Sequence, residues 1–323
     1  MAEDTTNPSY WLNATFLLCA IIILLPMLFA AFLIWKLEEF NTLRRGDQHS
    51  FIEFLYKDEP WRTCLKGISP SWLMAYRVLA FAVLSTLITC NIVLDGGGVF
   101  FFYTQWTFTL VTIYFGLGSA FSVYGCFLYH GHANGDRADS IDVDPEQSTY
   151  VPPSLEEDMR GPDVPKTSND EGKNSDYQSM GFWNHIFQIV YQIAGGAVIL
   201  TDSVFWLILY PLYLSKGFAM RPLNICLHSL NAVFLLGDAI LNDMRFPMFR
   251  IAYFILWTCT YVIFQWIIHA CVSLWWPYPF LNLKSPYAPL WYLGVALLHV
   301  PCYGFFALVV RLKQLLLSRF SQS

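Results

Sequence analysis

Charge is what this sequence has least of. Asp, Glu, Lys and Arg make up 13% of its 323 residues, about half the usual share in a soluble domain. The charge it has is clustered, with 12 of the 24 acidic residues inside 130–180. The remainder falls into nearly charge-free blocks of about twenty residues, the length that crosses a bilayer as helix. No basic cluster offers a nucleic-acid footprint, and the net charge of −5 comes from the one acidic stretch. Several motifs are also missing: a CxxC pair, a G-x-S-x-G elbow, a Walker loop and an H-E-x-x-H zinc signature. Their absence removes the familiar thiol-redox, serine-hydrolase, nucleotide and zinc-protease readings. The eight cysteines lie mostly in or beside apolar runs and read as small packing residues. No cleavable signal peptide is expected. The first apolar run is too long for one and lacks a basic flank, so it reads as a first span.

What is present is a set of seven long apolar runs, near 14–35, 72–94, 104–128, 186–210, 223–241, 251–274 and 289–310. They predict an all-α, polytopic transmembrane bundle. Seven spans put the termini on opposite sides. Alternate connections carry fifteen Lys and Arg on one side and three on the other. The positive-inside rule then implies an outside N-terminus and a cytoplasmic C-terminus. Arg77, just inside the second run, is expected to snorkel toward the basic side.

The chain divides accordingly. Residues 1–13 form an extracytoplasmic tail, 14–128 a three-span half and 186–310 a four-span half. Residues 129–185 read as an acidic cytoplasmic linker, studded with prolines, without apolar periodicity and expected to be disordered. Residues 311–323 are a basic cytoplasmic tail. The stretch WWPYPFLNLKSPYAPLWY (275–292) suits the headgroup zone, where Trp and Tyr concentrate. The Asn13-Ala14-Thr15 sequon abuts the first span and is expected to escape glycosylation.

Ionisable residues inside spans are costly and usually face the bundle interior. Asp202, His228, Asp238 and His299 stand out, with His269 near the end of the sixth run. Helical spacing puts His228, Asn231, Leu235, Asp238 and Asn242 on one stripe. Gln188, Gln192, Gly195 and Asp202 share a stripe of the fourth run. Thr258, Tyr261, Gln265 and His269 share one on the sixth. Gln188, Gln192, Asn242 and Thr258 read as interhelical hydrogen-bonding groups, and Ala194-Gly195-Gly196-Ala197 as a close-approach patch. Asp202 and His228 read as functional, Asp202 lying deeper than His228.

The stretch YTQWTFT (103–109) adds hydroxyls at the mouth of the third run. The outer half therefore collects Thr104, His228, a carboxylate (Asp202 or Asp95) and the donors Gln105 and Asn231. A threonine hydroxyl attacks only when a base takes its proton, and histidine has the pKa for that. Thr107 is a second hydroxyl on roughly the same face, and Thr109 is expected to bond its own helix carbonyls. A zinc site built from His228, His269 and His299 is an alternative.

The stretches DGGGVFFFYTQWTFTLVTIYFGLGS (95–119), LHSLNAVFLLGDAILNDMRFP (227–247), FQWIIHACVSLWWPYPFL (264–281) and SPYAPLWY (285–292) resemble a plant family of multi-pass membrane proteins. The likeness covers the chain except its first ten residues and 130–180. That family resembles the insect protein rolling stone, linked to myoblast fusion. More distantly it is similar to the androgen-induced and androgen-dependent membrane proteins, some of which are intramembrane threonine hydrolases of fatty-acid esters of hydroxy fatty acids. The resemblance implies Thr104, within Phe102-Tyr103-Thr104, as nucleophile and His228, within Leu227-His228-Ser229, as base. Asp202 would orient the histidine, and Gln105 or Asn231 would donate to an oxyanion. It also implies a long-chain lipid ester that arrives laterally from the bilayer, and no cofactor. The alternatives from the sequence are a non-enzymatic receptor, carrier or adhesion factor, and the zinc-dependent lipid hydrolase.

Overall fold

The computed structural model describes residues 4–45, 60–64, 69–139, 169–215, 217 and 220–320. Seven segments in it are long and apolar enough to cross a membrane: Ala14–Leu37, Pro70–Asp95, Tyr103–Phe127, Phe182–Ser215, Pro222–Leu241, Met248–Cys271 and Ala288–Arg319. Each predicted run overlaps one of them; the sixth was expected to reach 274, but its helix ends at Cys271, where Val272 turns extended. The protein is an integral, multi-pass, all-α membrane protein. Among the described residues the only β-type pairing is an isolated bridge between Thr63 and Asn242.

The helices are α1 (Ala14–Arg45), α2 (Pro70–Asp95), α3 (Tyr103–Asp139), α4 (Asn169–Val204), α5 (Pro222–Leu227), α6 (Leu230–Leu241), α7 (Ile251–Cys271) and α8 (Ala288–Phe320). Their ends follow local chemistry. Asn13, the sequon asparagine, accepts from the Phe16 N–H at 2.8 Å and so caps α1. Ser69 caps α2, with Pro70 in its first turn. At the far end of α2, Gly96 takes φ +75°, a conformation that glycine adopts without steric cost. A 3₁₀ turn over Gly97–Phe101 then leads into α3. Helices α3 and α4 both overrun the expected linker, reaching Asp139 and starting at Asn169. The rest of that linker, 140–168, lies outside the described residues.

Helix α4 is central. It packs against α3, α6, α7 and α8, whereas α1 packs chiefly on α7 and α8 at the periphery. In lipid, association relies on close packing rather than on escape from water. The small patch on α4 supplies it, as expected. A methyl group at Gly195 would lie 2.9 Å from Phe246 and Phe306, and one at Gly196 would lie 2.6 Å from Phe254. Around this contact the aromatic core stacks Tyr114 on Phe187 at 4.9 Å and sets Tyr191 edge-on to Phe246 and Phe306.

Two irregularities matter for function. After Val204 the fourth span widens into a π-helical turn, Phe205–Leu209, before Tyr210–Ser215 resumes α-helix. Pro211 explains the widening: its ring has no N–H for the carbonyl four residues back and collides with it. The fifth span is broken. Helix α5 ends at Leu227, His228 and Ser229 leave helical geometry, and α6 starts at Leu230. The single stripe from His228 to Asn242 is therefore corrected. His228 sits in the break, while Asn231, Leu235, Asp238 and Asn242 line the fully buried face of α6 and its end.

The end of the bundle carrying the N-terminal tail, the 96–102 turn and the 272–287 loop is termed the mouth end. There the tail folds onto the loop. Thr5 donates to the His269 carbonyl at 2.7 Å, and Tyr10 donates to Asn282 at 3.2 Å. The loop is more than an interfacial belt, because Tyr278, Leu281 and Leu283 are buried.

Candidate functional site

At the mouth end a cavity of about 590 Å³ opens between α2, α3, α5, the π turn and the 272–287 loop. That volume lies within the usual range of ligand pockets. Thr104, Gln105, His228 and Tyr278 line it together with Asn91, Asp95, Arg221 and Phe205.

Thr104 opens α3 and is almost completely buried. Its hydroxyl is 3.2 Å from the Tyr278 hydroxyl, and its N–H donates to the same oxygen at 3.4 Å. Gln105 follows it, with its side-chain oxygen buried and without a protein hydrogen-bond partner. Burial pushes the Tyr278 phenol up from its ordinary value, and hydrogen bonds with Thr104 oppose that shift. The phenol therefore stays an O–H donor at neutral pH.

His228 is held by backbone and ring rather than by its nitrogens. The break in the fifth span frees its carbonyl, and the Trp206 indole N–H donates to it at 2.9 Å. A freed backbone group at membrane depth needs such a partner. The imidazole stacks flat on Phe205, with centroids 3.5 Å apart and planes 4° from parallel. The π turn thus presents both Phe205 and Trp206 to His228, in keeping with the tendency of π-bulges to occur at functional sites.

Behind the ring, His228 Nδ1 lies 3.9 Å from Asp202 Oδ1 and makes no hydrogen bond. Asn231 Nδ2 donates to the same Asp202 oxygen at 3.4 Å, and Asp202 Oδ2 has no partner. Asp202 is thus level with His228, not deeper, because the fourth span extends to Ser215 at the mouth end. Asn231 does not line the cavity; its amide steadies Asp202 and is turned away from any oxyanion. Asp95 is the carboxylate that drops out. Arg221 binds it bidentately, at 3.0 and 3.1 Å, on the rim.

Other sequence candidates go elsewhere. Thr107 is fully buried and accepts from Thr201 at 3.3 Å. Thr109 was expected to bond a helix carbonyl, yet its hydroxyl has no partner. Thr112, by contrast, donates to Phe108 O at 2.9 Å. The three histidines of the zinc reading do not converge. His269 stacks on Trp276 at 3.8 Å, with Nδ1 2.7 Å from the Gln265 carbonyl. His299 has Nδ1 2.9 Å from the Val295 carbonyl and Nε2 2.9 Å from the Thr258 hydroxyl. Among the described residues no three His, Cys, Asp or Glu side chains are grouped to hold a metal, and none of the eight cysteines is in a disulfide.

Tyr278 is the residue that sequence reasoning missed. Its surroundings, Trp275-Trp276-Pro277-Tyr278-Pro279, read as an interfacial belt because composition cannot tell a ring that faces headgroups from one folded inward. Prolines on both sides of a single tyrosine were the available signal, since they fix the chain direction around it.

Asp238 and Arg77 form a second polar centre at the opposite end of the bundle. Arg77 does not snorkel. It is fully buried, with Nε 2.7 Å from Asp238 Oδ1. The Tyr114 hydroxyl and Asn242 Nδ2 also donate to Asp238. Below it Lys313 donates to the carbonyls of Ala239 and Asn242, at 2.8 and 2.6 Å, closing the end of α6. Comparison with protein-family models, with curated proteins and with solved structures finds no match for this chain.

Proposed function

We propose that the protein is an intramembrane hydrolase of lipid esters, with Thr104 as nucleophile and His228 as base. The observation that carries this reading is that both side chains line one cavity while the Nδ1 edge of the imidazole faces Asp202. A proton on Nδ1, turned toward the carboxylate, leaves Nε2 as the basic nitrogen, the division of roles seen in Ser-His-Asp triads. Thr104 and His228 share no direct hydrogen bond, so the proton passes between them through cavity water.

The steps balance on these residues. His228 takes the Thr104 proton as the oxygen attacks the acyl carbon. The ester C–O bond breaks, and the leaving alkoxide takes that proton as an alcohol. Water then attacks the acyl-threonine, with His228 again as base, and the acid departs as Thr104 regains its proton. Tyr278, an O–H donor 3.2 Å from the Thr104 oxygen, and the Gln105 amide donate to the oxyanion. Each such donor typically contributes about 10²–10³-fold in rate. Asp202 and Asn231 are positioning residues.

In the proposed orientation the mouth faces outward, and a long-chain ester arrives from the outer leaflet. The carrier reading drew on Asp238 and Asn242, but both are engaged in side-chain bonds and neither lines the cavity. Purified protein should hydrolyse long-chain esters and react with a fluorophosphonate probe. Thr104→Ala should lose both while the fold is kept. Full lipid-esterase activity in that variant would refute the mechanism.

A further inference from the structure

We propose that the apolar groove between α1, α7 and α8 holds a single unbranched acyl chain, with the chain's carbonyl end directed at Thr104. The groove has a volume of about 380 Å³ and is roofed by Phe280 and Leu281 of the mouth loop. Its walls include Ile22 and Pro26 of α1, Ile255 of α7, and Ala296 of α8. Of its polar wall groups, Thr258 and His299 are bonded to each other at 2.9 Å, Tyr292 donates to the Leu281 carbonyl at 3.1 Å and Cys259 to the Ile23 carbonyl at 3.5 Å. Tyr103 is a further partner of Thr258, at 2.8 Å, and the Val295 carbonyl is one of His299, at 2.9 Å. The rest of the wall is almost wholly apolar, so the surface suits hydrocarbon.

Three observations name the occupant. The first is continuity. A narrow cleft of about 60 Å³ is lined on one side by Thr104, Phe205, Leu209 and Tyr278, which also line the polar cavity. On its other side it shares Thr258, Val262, Phe280, Leu281 and Val295 with the groove. Thr104 therefore stands where polar space meets hydrocarbon, the boundary at which a lipid's ester carbonyl sits. The second is depth. The α8 wall runs from Trp291 to His299, about 12 Å at 1.5 Å per residue. That is close to one leaflet of a roughly 30 Å hydrocarbon core, so it fits one chain of one leaflet and not a spanning ligand. The third is size. The connecting cleft is small, about 60 Å³, which suits the slimmest acyl group, an unbranched methylene chain.

The chain-binding claim stands without the hydrolase reading; only the direction of the carbonyl rests on it. The test uses full-length protein in nanodiscs with a palmitic-acid analogue carrying a terminal diazirine, photolysed and mapped by mass spectrometry. The expected result is labelling of the α1 and α8 walls that excess oleic acid competes away. Ala296→Trp and, from the opposite wall, Ile22→Trp should each lower that labelling at least tenfold. Both wall residues are only partly buried, and an unchanged melting temperature checks that each variant keeps the fold. In parallel, p-nitrophenyl butyrate hydrolysis should be unchanged in both variants, because a butyryl chain does not reach the groove, while long-chain hydrolysis falls. Competable labelling without any esterase activity would support the groove and sink the hydrolase. Esterase activity with labelling that oleic acid does not compete, or that both tryptophans leave intact, would overturn the groove.

Discussion

Two aspartates within the spans, Asp202 and Asp238, occupy the same bundle in opposite circumstances. Asp238 is fully buried and saturated, with donors from Arg77, Tyr114 and Asn242. Arg77 in turn donates to Ser122 at 3.0 Å and lies over the Phe187 ring. Asp202 has one long hydrogen bond from Asn231, an imidazole at 3.9 Å and an oxygen with no partner. A charge placed in a low-dielectric interior is tolerated when it is paired and hydrogen-bonded. The first centre meets that condition and acts as a structural clasp. The second falls short of it beside a 590 Å³ cavity, which is the condition the proposed hydrolase would need of a group that exchanges partners during a reaction. Ionisable type alone does not separate structure from function in a membrane bundle; the completeness of the partner set does.

The contrast can be broken by substitution. Asp238→Ala strands the Arg77 guanidinium without its counter-charge, and removing one partner of a buried pair costs about 3–5 kcal/mol. Thermal unfolding in detergent should show a large drop or loss of folded protein, and Arg77→Met combined with Asp238→Leu should recover much of it. An Asp238→Ala protein as stable as the parent would end the clasp interpretation.

His228→Gln tests the other centre. Loss of a general base lowers rate by about 10²–10⁴-fold, with a smaller drop in melting temperature than Asp238→Ala, because the ring's main contact is its stack on Phe205. Asp202→Asn should behave in the same sense but more weakly and should alter the pH–rate profile, which a purely structural role would leave unmoved.

Gly196→Ala sharpens the packing side. Its new methyl group would meet Phe254 at 2.6 Å, and overpacking of this kind costs about 1–3 kcal/mol. The smallest effect belongs to the rim. Arg221 in the Asp95 pair is 59% exposed, so Arg221→Ala should change stability by less than about 1 kcal/mol. A denaturation midpoint displaced as far as that of Asp238→Ala would mean that the rim pair belongs to the clasp class.

Much of the architecture was legible beforehand. The seven spans, the small patch on α4 and the shared cavity of Thr104, Gln105 and His228 follow from length, hydropathy and helical phase, whereas the level of Asp202 does not. The break at His228-Ser229 was not legible, because nothing in LHSLN interrupts a helix by propensity alone. It is stabilised by Trp206, whose indole meets the released carbonyl. Tyr278 was hidden for a similar reason. Its inward turn depends on contact with Thr104, 174 residues away in sequence.

The sequence by itself determined that this chain lives in a bilayer as seven helical spans. Hydrocarbon offers no partner to a backbone N–H or carbonyl, so each apolar run must satisfy its own groups as helix, and that requirement is local. The tertiary structure alone decided which polar residues became partners. Arg77 and Asp238 are 161 residues apart, and their union leaves Asp202 as the incompletely satisfied carboxylate. Pairing in a low-dielectric interior is set by distances of a few ångströms, and only the packed bundle sets those.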